Sequence, residues 1–214
     1  MPGRAAAEDL ADHWTWRPDW TTERACLLWY IAFTEPQHAE LHRLTRAVHD
    51  GLADEPTIDP GPLPWLHLTL DDVGFEDRLG PGEVADVVAA VFARIGDLPP
   101  PRVTLGPVTT MADALVLAVE PEAALVGLRD LLRSCTDAVL PGSTTLLDEF
   151  WPHVTLADAN TPVTRARLMA PLSGLGIADR RVDVRPHLTL AAVTRRDRHY
   201  QWTARAVVPW APER

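Results

Sequence analysis

The sequence contains two stretches of the same form, WLHLTL at 65–70 and WPHVTL at 151–156. A third string, RPHLTL at 185–190, shares only the His-x-Thr-Leu part. Alternation of apolar and polar residues predicts a β-strand for each string, and residues i and i+2 of a strand face the same side. The histidine and the threonine of each string therefore share one face, and the apolar residues between and after them face a core.

Only two of the three strings occupy equivalent positions in an internal repeat. Trp-x-His-x-Thr-Leu recurs after 86 residues, and a Glu-Pro pair that precedes a helix-like stretch recurs after 85. The segment RVTLGPVT at 102–109 matches HLTLAAVT at 187–194, again after 85 residues. The third string thus pairs with 102–109, and we expect only the first two strings to be copies of one functional device.

The repeat predicts the order strand, helix, His-x-Thr strand, helix, strand in each half. In the first half we expect strands at 26–33, 65–73 and 102–109 and helices at 36–51 and 82–96. In the second half we expect strands at 114–120, 152–158 and 182–194, helices at 122–138 and 162–174, and a closing strand at 199–208. The predicted organisation is one bilobal domain over 1–214, with an irregular Trp-rich arm (1–25), a first half-repeat (26–110) and a second half-repeat plus closing strand (111–208).

The composition is that of a globular protein without a membrane span. Of the 214 residues, 46% are hydrophobic and 23% charged. The longest apolar run, CLLWYIAF at 26–33, is far shorter than the roughly 20 residues that cross a bilayer. The N-terminus lacks the apolar stretch of a signal peptide, so we expect a cytoplasmic protein in which Cys26 and Cys135 are reduced core residues.

The charge of the chain argues against binding along a long nucleic acid. The formal net charge is −10, and a phosphate backbone attracts proteins of the opposite sign. Residues 176–214 nevertheless carry eight arginines against four acidic residues. A basic segment in an acidic protein suits a small anionic ligand, although a solvated C-terminal face would have the same composition.

The paired His-x-Thr strings indicate phosphoryl transfer. If the two halves pack around a pseudo-twofold axis, His67 and Thr69 meet His153 and Thr155 across a cleft. One imidazole can then accept a proton while the other donates one, and the two hydroxyls can hold phosphate oxygens. The spacing of the histidines is unlike that of a zinc site.

On these residues the sequence resembles the 2H phosphoesterase superfamily, and more narrowly its bacterial 2′-5′ RNA ligase or RNA 2′,3′-cyclic phosphodiesterase branch. The Trp-rich start and the basic-aromatic stretch RRDRHYQW at 195–202 add to the resemblance. It implies an α+β fold in which two antiparallel sheets face a central cleft, with helices outside. It also implies hydrolysis of a 2′,3′-cyclic phosphate to a 2′-phosphomonoester without metal or cofactor, and a reverse 2′-5′ ligation.

The resemblance assigns roles to particular residues. The implied catalytic residues are His67, Thr69, His153 and Thr155, with the histidines as acid and base in either order. The candidates for anion and base contacts are Arg102, Arg185, Arg195, Arg196, Arg198 and Tyr200.

The acidic net charge departs from the basic cleft of relatives that act on tRNA-sized substrates. We therefore expect a monomer that takes a small cyclic phosphate nucleotide or a short RNA end, with no long nucleic acid and no membrane as partner. Two alternatives stay open. One is a protein that binds a nucleotide or an RNA end without turnover, and the other is a metal hydrolase with His67, His153 and His187 as ligands.

Overall fold

A computed structural model describes residues 6–14, 20–143, 150–185 and 187–210. The strands in these ranges are β1 (Asp9–Leu10), β2 (Cys26–Ala32), β3 (Ile58–Pro60), β4 (His67–Phe75), β5 (Val103–Thr110), β6 (Ala114–Glu120), β7 (His153–Ala159), β8 (Val163–Thr164), β9 (Val182–Val184), β10 (Leu188–Arg196) and β11 (His199–Val208). The α-helices are α1 (Ala39–Gly51), α2 (Pro81–Arg94), α3 (Glu122–Val139) and α4 (Arg165–Gly174).

Nine of the strands form two antiparallel sheets that meet where the His-x-Thr strands lie, and β1 and β8 pair separately. One sheet has the order β11-β10-β2-β4, and the other has the order β3-β7-β6-β5-β9. Strands β4 and β7 contact each other between the sheets. The α+β class with two antiparallel sheets is therefore confirmed. No helix in the described ranges is long and apolar enough to span a bilayer.

The internal repeat is visible in the strand registers. Ala32 pairs with His67 in one sheet, and Ala118 pairs with His153 in the other, so the pairs are related by 86 residues. Each pairing then shifts by one residue at the same place, which leaves Leu70 of β4 and Leu156 of β7 as the extra residues of two β-bulges. Both sequence copies therefore build the same local backbone.

The two sheets do not coincide with the two halves of the sequence. Strand β5 of the first half pairs with β6 of the second, and β10 of the second half pairs with β2 of the first. Only residues 111–113 separate β5 from β6, and strands joined by so short a connection pair with each other. Each sheet thus contains strands from both halves.

Some predicted elements differ from the structure. The single strand expected at 182–194 is wrong, because β9 pairs with β5 while β10 pairs with β2 in the other sheet. Helix α1 begins three residues after Pro36, the position predicted to start it. Between α1 and β4, where no strand was predicted, the short strand β3 ends at Pro60 on the edge of its sheet, where a missing N–H is tolerated.

Strand β2 is buried on both faces, which explains its continuous apolar sequence. Leu27, Trp29 and Ile31 belong to the main core, and Cys26, Leu28 and Tyr30 belong to a second apolar cluster on the opposite face. The side chains of Trp20, Tyr200 and Trp202 pack against this second cluster. The second cluster lies on the side of the sheet that faces the cleft.

Candidate active site

The two His-x-Thr strands present their polar side chains to one cavity. His67 and Thr69 of β4 line it together with His153 and Thr155 of β7, and its volume is about 590 Å³. A pocket of that size suits a nucleotide-sized molecule. The four residues that the sequence singled out as catalytic are therefore brought together in space.

The two imidazoles are held in the same way. His67 Nδ1–H donates to the carbonyl oxygen of Trp65, and His153 Nδ1–H donates to that of Trp151, both over 2.7 Å. A carbonyl oxygen can only accept, so Nδ1 carries the proton in the neutral ring. In both histidines Nε2 is then the atom that accepts a proton or, in the charged ring, donates one.

The surroundings of His67 favour its neutral form. Its ring stacks on that of Tyr30, with centroids 4.0 Å apart and planes at 12°. Trp202 Nε1–H donates to the same Trp65 carbonyl oxygen over 2.9 Å. Burial lowers the pKa of His67 to about 4, against the opposing effect of the Trp65 hydrogen bond, and a positive charge on His153 lowers it further.

The surroundings of His153 include a carboxylate. Burial lowers its pKa as well, but the hydrogen bond to Trp151 and the negative charge of Asp113 both raise it. A charged His13 acts in the opposite direction. The two histidines are thus alike in geometry and different in electrostatics, because a carboxylate acts on His153.

The bulge after Thr155 brings an unexpected carboxyl group into the cavity. Asp158 lines the same cavity as His153 and Thr155, and burial raises its pKa to about 6. The sequence contained a signal for this residue. An aspartate stands five positions after the histidine in HLTLDD and in HVTLAD, whereas the third string has Ala192 there.

The N-terminal arm supplies a third histidine. His13 Nδ1–H donates to Asp113 Oδ2 over 2.8 Å, and its Nε2 lies 2.8 Å from the hydroxyl of Tyr200. The arm is held by β1, which pairs with β8, and by a backbone hydrogen bond from His13 to Ala159. His13 has no counterpart in the repeat, so the sequence did not distinguish it. The part of the predicted arm at 1–5 and 15–19 lies outside the described residues.

The predicted substrate contacts are placed differently from one another. Tyr200 lines the cavity, whereas Arg102, Arg185 and Arg196 are exposed and do not line it. Two further candidates are engaged elsewhere: Arg195 donates to the His13 carbonyl and lies over the Trp14 ring, and Arg198 pairs with Asp59. Within the described ranges the wall of the cavity contains no arginine.

His187 also lies outside the cavity. Its ring contacts that of His38, with centroids 5.5 Å apart, at the start of β10. A three-histidine metal site with His67 and His153 therefore does not form. Across the part of the chain that the structure describes, no cluster of three or more His, Cys, Asp or Glu residues is arranged to hold a metal ion.

The chain resembles known proteins in sequence and in fold. The family model of the 2′-5′ RNA ligase superfamily matches residues 35–177. No curated protein sequence matches the chain significantly.

Solved structures share the fold at low sequence identity. The protein TT0787 of Thermus thermophilus is 20% identical, with a TM-score of 0.58 over 86% of this chain and 96% of that one. LigT of E. coli, solved with 3′-AMP, is 17% identical, with a TM-score of 0.56 over 86% and 97%. ATU0111 of Agrobacterium tumefaciens, a conserved protein of unknown function, is 12% identical, with a TM-score of 0.61 over 87% and 86%.

Proposed function

Because the chain belongs to the 2′-5′ RNA ligase superfamily, we propose that it hydrolyses a 2′,3′-cyclic phosphodiester to a 2′-phosphomonoester, without a metal ion or cofactor. The observation that carries this proposal is the matched pair of imidazoles, each with Nδ1 bound to a carbonyl and each beside a threonine in one cavity. A general base that accepts a proton from water and a general acid that protonates the leaving oxygen together accelerate hydrolysis of a phosphodiester, and Nε2 of each ring can fill either role.

We assign the base to His67 and the acid to His153. A ring whose pKa is held at about 4 stays neutral near pH 7, so His67 Nε2 can accept a proton from water. The bound phosphodiester brings a negative charge to both rings and raises their pKa values. His153 takes up the proton because the carboxylate of Asp113 also favours its charged form.

The reaction then proceeds by in-line displacement. The water oxygen bonds to phosphorus as its proton passes to His67, and the bond from phosphorus to the ribose O3′ breaks as His153 donates its proton to O3′. The hydroxyls of Thr69 and Thr155 donate to the non-bridging oxygens, where negative charge increases. A ribose 5′-hydroxyl in place of water would give a 2′-5′ linkage, which is the ligase reaction.

The test is hydrolysis of 2′,3′-cyclic mononucleotides by the purified protein in EDTA, with the product identified by ³¹P NMR. We expect the 2′-phosphate, and we expect His67→Ala and His153→Ala each to lower kcat/KM by about 10²–10⁴-fold. The matched control is His187→Ala, which removes the histidine of the third string and should leave the rate near that of the wild type. Tight binding of the nucleotide without any product would instead support the binding protein that holds a nucleotide or RNA end without turnover.

A further inference from the structure

The cavity contains a second polar cluster, of which the hydrolysis above uses only the negative charge of Asp113. It consists of His13, Asp113, Asp158 and Tyr200, all of which line the cavity. His13 Nδ1 lies 2.8 Å from Asp113 and 3.6 Å from Asp158, and its Nε2 lies 2.8 Å from the Tyr200 hydroxyl. The side chains of His13 and Asp158 are 9% and 8% exposed, while that of Asp113 is 38% exposed.

This cluster lies beyond the phosphate-binding threonines along the same strands. Asp158 follows Thr155 by three residues of β7, which corresponds to roughly 10 Å of strand. Ala114, the neighbour of Asp113, pairs with Asp158 across β6 and β7. Both carboxyl groups therefore lie at one level of the sheet. Their distance from the threonines matches the length of a nucleoside, measured from its cyclic phosphate to the far edge of its base.

The charge of the cluster selects hydrogen-bond donors. Carboxylates repel a second phosphate group and accept hydrogen bonds from donors. Both ring nitrogens of His13 are engaged, by Asp113 and by Tyr200, so His13 positions these two groups. The partly exposed carboxylate of Asp113 can accept hydrogen bonds from a neutral ligand that donates them.

Much of the remaining wall is apolar. Trp20, Leu28, Phe75 and the ring of Tyr200 line the cavity from the sheet that contains β2 and from the segment before it. Aromatic faces of this kind stack on nucleobases without regard to their sequence. Stacking therefore binds any base, and hydrogen bonds to the carboxyl groups distinguish one base from another.

We propose that the cluster of His13, Asp113, Asp158 and Tyr200 binds the amino edge of a nucleobase, so that the preferred substrate is a nucleoside 2′,3′-cyclic phosphate whose base carries an exocyclic amino group. At position 4 of the ring, cytosine presents an amino donor and uracil a carbonyl acceptor, and a carboxylate that faces this position accepts from the former and repels the latter. The inference rests on the proposed function, because it concerns the substrate of the same site.

The test compares cytidine with uridine 2′,3′-cyclic monophosphate, which differ only at this edge of the base. We expect the wild-type kcat/KM to favour cytidine by at least about tenfold, as a charge-assisted hydrogen bond allows. Asp113→Asn and Asp158→Asn should each bring the ratio to within about threefold of unity, because an amide can pair with either base. Asp183→Asn, an exposed aspartate of β9, is the control that should keep the wild-type ratio.

The ratio isolates recognition of the base from any change in the chemistry of His153, which would affect both substrates alike. A wild-type ratio near unity, or a ratio that survives both cavity substitutions, overturns the inference while leaving the proposed hydrolysis intact. If neither nucleotide is hydrolysed, the proposed function fails, and the Kd values of cytidine and uridine 2′-monophosphate, measured by calorimetry on the same variants, decide the inference. If Asp158→Asn does not fold, the more exposed Asp113→Asn decides it.

Discussion

Replacing His67 by glutamine should make the protein more resistant to acid. The pKa of a free imidazole is 6.5, and burial lowers that of His67 to about 4. Between these values the unfolded chain binds a proton that the folded protein excludes. The contribution of His67 to the free energy of unfolding is therefore fully present above pH 6.5 and decreases as the pH falls toward 4. This difference between the pKa values of the unfolded and the folded state corresponds to roughly 3 kcal/mol of unfolding free energy.

Asp158 acts in the opposite direction. Its pKa is raised from 3.8 to about 6, so the folded protein keeps a proton that the unfolded chain releases between these values. Its contribution is fully present below pH 3.8 and is lost as the pH rises through 6. The two contributions oppose each other in the same range, so the pH dependence of the wild type alone does not isolate either residue.

The assay is urea unfolding of wild type and variants at pH 7, 5.5 and 4.5, followed by circular dichroism. Relative to the wild type, His67→Gln should gain about 2–3 kcal/mol of unfolding free energy on going from pH 7 to pH 4.5. Asp158→Asn should show the reverse trend, and Thr69→Val, which removes no ionisable group, should show a constant difference. If the difference between His67→Gln and wild type also stays constant, burial does not hold His67 neutral, and its assignment as the base fails.

Three further predictions concern the framework of the site. Asp71→Ala removes a buried carboxylate that Arg133 binds through two hydrogen bonds of 2.8 and 2.9 Å, and should cost about 3 kcal/mol or more by urea unfolding. Gly106→Ala should destabilise the fold by at least about 2 kcal/mol, because φ is +113° and the new Cβ would overlap the backbone oxygen of Arg180. Gly127→Ala, at a position of α3 with open space around it, should instead raise the melting temperature. Trp202→Phe keeps an aromatic ring but removes the hydrogen bond to the carbonyl that holds His67, and in the cyclic phosphodiesterase assay it should lower kcat roughly threefold to tenfold with little change in KM.

The meeting of the two His-x-Thr strands at one cavity was predictable because its signal is local and repeated. A histidine and a threonine two residues apart share one face of a strand whatever the rest of the fold does, and the 86-residue repeat separated His67 and His153 from His187. The α+β class followed from the resemblance that these residues carry. The aspartate at the fifth position after each histidine was equally visible, and Asp158 could have been found from it.

The remaining parts of the fold and of the cavity have no local signal. Periodicity predicts that a segment is a strand, but it does not say which sheet the strand joins, and so the interruption between β9 and β10 was missed. A count of charges likewise does not show whether a side chain lines a cavity, and so the exposure of Arg102, Arg185 and Arg196 was not predicted.

By itself, then, the sequence determined the repeated strands, the two His-Thr pairs and the family, because each depends on residues close together in the chain. Only the tertiary structure decided which strands share a sheet, that His13 enters the cavity from the N-terminal arm, and that the negative charge of Asp113 acts on His153. His13 is separated from its partners Asp113 and Tyr200 by 100 and 187 residues. Contacts at such separations, and the burial that shifts a pKa, come into existence only when the chain has folded.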